Sequence, residues 1–134
     1  MATAKKSWAS PVTLFSTNAY GGGDADVAND GAWDYTDNID LETDGYEGVH
    51  IAIEYDASGT TDDFEVGIFP SLDGSAFDDI AKSVYRFSNN GGVDTQMSIL
   101  ITEWANFRLG LRTAGTTDSF DARVIHQRWR WDVT

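Results

Sequence analysis

The sequence predicts an all-β protein, a single antiparallel β-sandwich, jelly-roll-like, of about eight strands. Three observations carry this. Apolar residues recur at every second position in successive short runs. Segments rich in Gly, Asp, Asn and Ser separate those runs. No window holds a helical period for more than a turn or two, the best being Phe77 to Ser83.

Taken in order, the expected strands are PVTLFS, NIDL, GVHIAIEYD, FEVGIF, IAKSVYRF, QMSILI, NFRLGLR and ARVIHQRWRW. The clearest is GVHIAIEYD, with Val49, Ile51, Ile53 and Tyr55 on one face and His50, Ala52 and Glu54 on the other. Phe64, Val66 and Ile68 alternate in the same way, as do Met97, Ile99 and Ile101. In NFRLGLR, Phe107, Leu109 and Leu111 point inward and Arg108 and Arg112 outward. The turns between strands are DASGTTDD, SLDGSAFDD, SNNGGVD and TAGTTDS. One turn repeats: SGTTDDF (58–64) returns as AGTTDSF (114–120), read either as two similar hairpin loops or as two matched loops sharing one end of the sandwich.

The closing run RVIHQRWRWDVT gathers arginine and tryptophan at the end of a chain of net charge −13. Alternation places Ile125, Gln127, Trp129, Trp131 and Val133 on one side, an inward row ending in two tryptophans. Val124, His126, Arg128, Arg130 and Asp132 then face outward, the arginines available to acids of the chain or to a partner.

With 134 residues the chain is read as one domain, 1–134, burying roughly two thirds of its unfolded surface. Residues 1–36 are expected as an extended N-terminal arm followed by a glycine-rich loop, TNAYGGGDADVANDGAWDYT. The acidity disfavours nucleic acid and anionic membrane as partners. The absence of cysteine excludes disulfides, thiolate metal sites and a thiol nucleophile. MATAKKSWASPVTLF lacks the apolar run of a signal peptide, so synthesis in the cytoplasm is expected.

No nucleophile elbow, zinc-binding helix pair, phosphate loop or dinucleotide fingerprint occurs, and the reading is non-enzymatic with no cofactor. Asp24, Asp26 and Asp30, with Asn29 and Gly31, offer hard oxygens for calcium, yet the D-x-D-x-D-G spacing and the bidentate glutamate are missing. Aromatics outside the strand cores (Trp8, Tyr20, Trp33, Tyr35, Tyr46, Trp104) suit either the ends of the sandwich or a sugar-stacking platform. The residues expected to make partner contacts are Lys5, Lys6 and Trp8 in the arm, Trp33 and Tyr35 in the loop, and Arg128 and Arg130 in the last strand.

Mid-chain stands an S-L-D-G turn followed by an aromatic and Asp (Ser71, Leu72, Asp73, Gly74, Phe77, Asp78). An aromatic-Arg-x-Gly strand then leads to a G-x-T-D loop (Phe107, Arg108, Gly110, Gly115, Thr117, Asp118), and a basic strand, Arg128 to Trp131, follows. This pattern, from residue 34 to 131, resembles small virion proteins of tailed bacteriophages. The resemblance implies a non-enzymatic β-sandwich that coats the particle, a head decoration or cement protein with no catalytic residues. The implied partners are the major capsid protein and further copies of the chain, a trimer being one symmetric arrangement. The alternative is a carbohydrate-binding module or host-attachment sandwich, with glycan as the ligand.

Overall fold

A strand whose side chains alternate between apolar and polar needs a second layer to bury one face. The computed structural model, which describes residues 3–133, pairs two such layers. Its strands are β1 (Ala4–Trp8), β2 (Val12–Ser16), β3 (Asp34–Tyr35), β4 (Ile39–Asp40), β5 (Gly48–Ala57), β6 (Phe64–Ser71), β7 (Ser83–Phe87), β8 (Thr95–Ile101), β9 (Asn106–Thr113) and β10 (Phe120–Val133). Sheet one runs β1-β10-β5-β8, with β2 also on β10; sheet two runs β3-β9-β6-β7, with β4 also on β9. Every pairing is antiparallel. Because β1 and β2 share one lane and β3 and β4 another, ten strands occupy eight lanes. First pairs with last, second with seventh, third with sixth and fourth with fifth, which is the wrapped hairpin of a jelly roll.

The two inner faces are those the alternation predicts on β5, β6 and β9. Val49, Ile51 and Ile53 oppose Phe64, Val66, Phe107, Leu109 and Leu111, all fully buried. Met97 departs from the expectation at 43% exposed, on the edge strand β8. The stretch around Phe77 forms no helix; the backbone bridges Ser71 to Phe77 instead, and the sole helical turn among the described residues is Asn18–Tyr20.

Two expectations are corrected. Residues 4–8 are not a free arm, since Ala4–Trp8 pairs with Val133–Trp129 as part of sheet one. The glycine-rich loop is held too: Val27 is fully buried and exchanges backbone hydrogen bonds with Phe120 at 2.7 and 2.9 Å. On β10 the two faces are exchanged. Val124 lies opposite Ile53 and His126 opposite Ile51, so Phe120, Ala122, Val124 and His126 are the buried row. Trp129 and Trp131 therefore lie on the outer face. The physical reason is register: β10 is locked to β5 from Phe120 to Trp129, and a period of two carries the parity of Phe120 along the strand.

The repeated turns prove to be one device. Loop 58–63 leaves sheet one for sheet two, loop 114–119 makes the reverse crossing, and the two grip each other. The Asp118 carboxylate accepts the Thr61 and Asp62 N–H groups at 2.7 and 2.8 Å. The Asp62 carboxylate accepts the Thr117 and Asp118 N–H groups at the same two distances. Equivalent backbone bonds, Ser58 N–H to Ser119 C=O and Ala114 N–H to Asp63 C=O, flank them at 2.9 Å each. Only glycine fits at 59 and 115, where a Cβ would strike the opposing carboxylate. Directly beneath, the equivalent rings Phe64 and Phe120 stack at 5.0 Å, joined by Tyr55 at 5.2 Å from Phe64. This approximate two-fold joins β5, β6, β9 and β10 at one end of the barrel-like core.

Removing either carboxylate leaves two N–H groups without their charged acceptor. Asp118→Ala is expected to lower the unfolding free energy by about 3 kcal/mol, Asp118 being only 4% exposed, with Asp62→Ala changing it in the same direction. Urea denaturation checks this, and an unchanged midpoint for both variants removes the clasp as a source of stability.

Candidate interaction surface

Of the residues expected to contact partners, Lys6 and Trp8 fall on the outer face of sheet one and Trp33 and Tyr35 on that of sheet two, while Lys5, Arg128 and Arg130 lie on the other side of their strands. On sheet one, β1 aligns Trp8 with Trp129 and Lys6 with Trp131. The four side chains gather around the lysine: its Nζ is 4.4 Å from the centroid of Trp129, 5.8 Å from Trp8 and 5.9 Å from Trp131. Trp129 lies flat over Gly48, where a Cβ would come within 2.6 Å of the indole nitrogen, and is buried. Trp8 and Trp131 flank it, 45% and 52% exposed. The rings are not coplanar, Trp8 and Trp131 lying at 50° and 85° to Trp129. Lys5 is exposed on the next position of β1, opposite Asp132.

On sheet two, Trp33 and Tyr35 form a lid over the outer face. Gly67 and Gly110 sit opposite each other on β6 and β9, where glycine is otherwise unfavourable. A Cβ at Gly110 would come within 2.9 Å of Trp33 and 2.7 Å of Phe69, so the two glycines make the floor on which these rings rest. Phe69 is fully buried, although it lies on this outer face, with Trp33 and Tyr35 set edge-on to it at 5.4 and 5.1 Å. Arg112 covers Trp33 at 3.9 Å and pairs with Glu65, while Arg108 lies between Tyr35 at 3.7 Å and Phe77 at 4.4 Å. Trp33 is thus a packing residue, and Tyr35 keeps 41% of its surface exposed.

Arg128 and Arg130 turn inward on the chain itself. Arg128 donates to the Asp40 carbonyl at 3.0 Å and stacks over Tyr46 at 4.5 Å. Arg130 donates to the Asp44 carbonyl at 3.3 Å and meets the Asp132 carboxylate at 3.4 Å. Together they hold the β4–β5 loop against the end of β10. Lys5, Lys6, Arg128 and Arg130 are four of the nine cationic side chains of the sequence. Their position makes this end of sheet one the basic, aromatic part of a strongly acidic molecule.

The acidic loop does not assemble a cage. Asp24 accepts the Ser16 N–H at 3.1 Å and Asp30 the Ala32 N–H at 2.9 Å. Among the described residues no three His, Cys, Asp or Glu side chains, Asp26 included, converge as metal ligands. The shallow depressions of about 340 and 300 Å³ beside Trp104 are lined by turn residues. Within the first, Ser71 is committed to its turn, donating to Asp73 at 3.1 Å and accepting the Gly74 N–H at 2.9 Å. On the exposed sheet-one face His50 Nε2 lies 3.0 Å from Ser98 Oγ.

No family model matches this chain, and no curated protein matches it in sequence.

One of the two sequence readings set the repeated loops together at one end of the sandwich, where they lie, but sequence reasoning did not foresee that each grips the other. It also placed His126 outside. That ring is 7% exposed on the core side, and burial, helped by the Arg128 charge, holds its pKa below the ordinary value. The folded state therefore favours neutral His126, its stabilising contribution is complete above about pH 6.5, and it is lost as pH falls toward the depressed folded value. As pH falls from about 7 to about 5.5 the unfolding free energy is expected to fall. His126→Leu should flatten this slope, measured by urea titration at each pH; an identical slope in the variant assigns the effect to other groups.

Proposed function

We propose that this protein is a non-enzymatic structural virion protein of a tailed phage, a decoration or cement protein. In this reading it binds the head surface through the Lys6–Trp8–Trp129–Trp131 end of sheet one. The observation that carries the reading is that end itself: two half-exposed tryptophans bracket a lysine, in a chain whose remaining surface is acidic. Tryptophan and arginine are enriched at interface hot spots, and tryptophan buries a large area with only two side-chain torsions to fix. Jelly-roll sandwiches recur in capsid and lectin domains, and the sequence resemblance to small virion proteins points the same way.

Mechanistically, Trp8 and Trp131 insert into an apolar seam between capsomers, while Lys6 meets a carboxylate at its rim. The aromatic contact supplies affinity, and the acidic remainder faces solvent and keeps neighbouring copies apart. Over many joints, modest binding at each adds up to resistance against outward pressure. The lectin-like alternative is less well served, because Trp8, Trp129 and Trp131 do not present parallel rings to a sugar.

Quantitative mass spectrometry of density-banded particles tests the reading. A copy number near that of the major capsid protein, or a simple fraction of it, is expected. Trp131→Ala should reduce incorporation about tenfold or more, as loss of a hot-spot tryptophan does. Absence of the chain from banded particles overturns the proposal, and binding on a glycan array would move the same patch to the carbohydrate class.

A further inference from the structure

Open sheet edges present unpaired backbone groups, and proteins protect them with charge, proline, bulges or shortness. Three of the four edge lanes here carry such protection. On sheet one, β1 bears Lys5 and Lys6, while β2 is five residues long with a register shift against β10. On sheet two, β3 and β4 are two residues each and contain Asp34 and Asp40. The five-residue β7 carries Arg86 and is preceded by Lys82. The fourth edge, β8, has none. Its seven residues, TQMSILI, contain no charge and no proline in a chain that is 23% charged. They pair with β5 from Thr95 to Ile101 without a bulge, and among the described residues no strand lies on the other side.

The exposed apolar side chains agree with the backbone. Met97 is 43% and Leu100 60% exposed on β8. Val84 and Tyr85 on β7 are exposed on the same flank, where Tyr85, Leu100 and Ile101 line one small cleft. We infer that β8 is where two copies of this chain join, antiparallel about a two-fold axis at Ser98, so that the two four-lane sheets become one continuous sheet. This does not rest on the virion reading.

The occupant follows from charge and symmetry. Two chains of net charge −13 repel wherever their acidic surfaces meet; β8 is a neutral strip on which they can approach. With Ser98 opposite its own copy, Thr95 faces Ile101, Gln96 faces Leu100 and Met97 faces Ile99. All seven residues pair, and each side chain stays on its own face. The charges that bound the strip then fall opposite neutral residues, Asp94 facing Thr102 and Glu103 facing Val93. An in-register parallel pairing would instead set Asp94 against Asp94 and Glu103 against Glu103, at a cost. Met97, left bare in one copy, is covered by Ile99 of the other. The contact is isologous and closes as a dimer, not as a trimer. It lies on the edge of sheet one opposite β1, leaving the tryptophan end free.

Sedimentation velocity over a wide concentration range is expected to show the 14.7 kDa chain passing into a species of twice that mass. Amide hydrogen exchange in Thr95–Ile101 should slow as that species forms. Ser98→Lys sets two lysines face to face only in the dimer and should weaken it about tenfold or more; Ser98→Glu should do the same. An equimolar mixture of the two variants should restore association, which neither misfolding nor a contact elsewhere would do. A wild-type chain that stays monomeric at all concentrations overturns the inference. So does a dimer whose β8 amides exchange unchanged, or a mixture that fails to associate where the wild type does. Loss of the dimer with normal particle incorporation would separate this contact from the docking proposed above.

Discussion

The reciprocal grip of Asp62 and Asp118 is the constraint on which the rest of the sandwich depends. A jelly roll buries its core only if its sheets are held face to face at the ends, where connections cross and backbone groups would otherwise go unpaired. Here two crossings satisfy one another. Each loop lends its N–H groups to the carboxylate of the other, and each glycine makes room for it. The β7–β8 loop joins the same knot, with Asn89 donating to Asp118 at 3.2 Å and Asn90 accepting the Ala57 N–H at 3.0 Å. The aromatic layer of Tyr55, Phe64, Phe87 and Phe120 lies directly below. Fixing that layer fixes the register of β5 on β10, and hence which face of β10 is buried.

From that register follows the contrast between the two outer faces. On sheet two, the Gly67–Gly110 floor lets the long β2–β3 loop and β3 lay Trp33 and Tyr35 over Phe69, with Arg108 and Arg112 stacked as covers. The result is a second, smaller core outside the sandwich. On sheet one, the exchange of faces on β10 brings Trp129 and Trp131 out beside Trp8, where a lysine caps the central ring and two rings stay in solvent. The aromatic residues are similar on the two faces. What differs is how many of their surfaces the chain itself can cover.

The edges of the sheets complete this picture. Charge, shortness and irregularity close three lanes, and the neutral β8 lane stands open at the far side of sheet one from the tryptophans. The two regions lie at opposite edges of sheet one, so a contact at one leaves the other exposed.

Much of this was legible in the sequence. Period-two alternation located β5, β6 and β9 and their inward rows, because a half-buried strand has one solution to the placement of its apolar side chains. Turn chemistry separated the strands, and the GTTD repeat marked the two loops that meet. The sequence by itself also determined that β8 carries no charge and that positive charge collects near both ends of the chain. Only the tertiary structure decided the parity of β10, since Val124 and Ile125 are both apolar and either row could have faced the core until pairing with β5 selected one. It alone decided that Trp33 is packed while Trp131 is bare, that residues 4–8 join their own sheet, and that Asp62 and Asp118 face each other. These outcomes depend on contacts between residues far apart in the chain, and local pattern carries no information about which distant surface will arrive to cover a side chain.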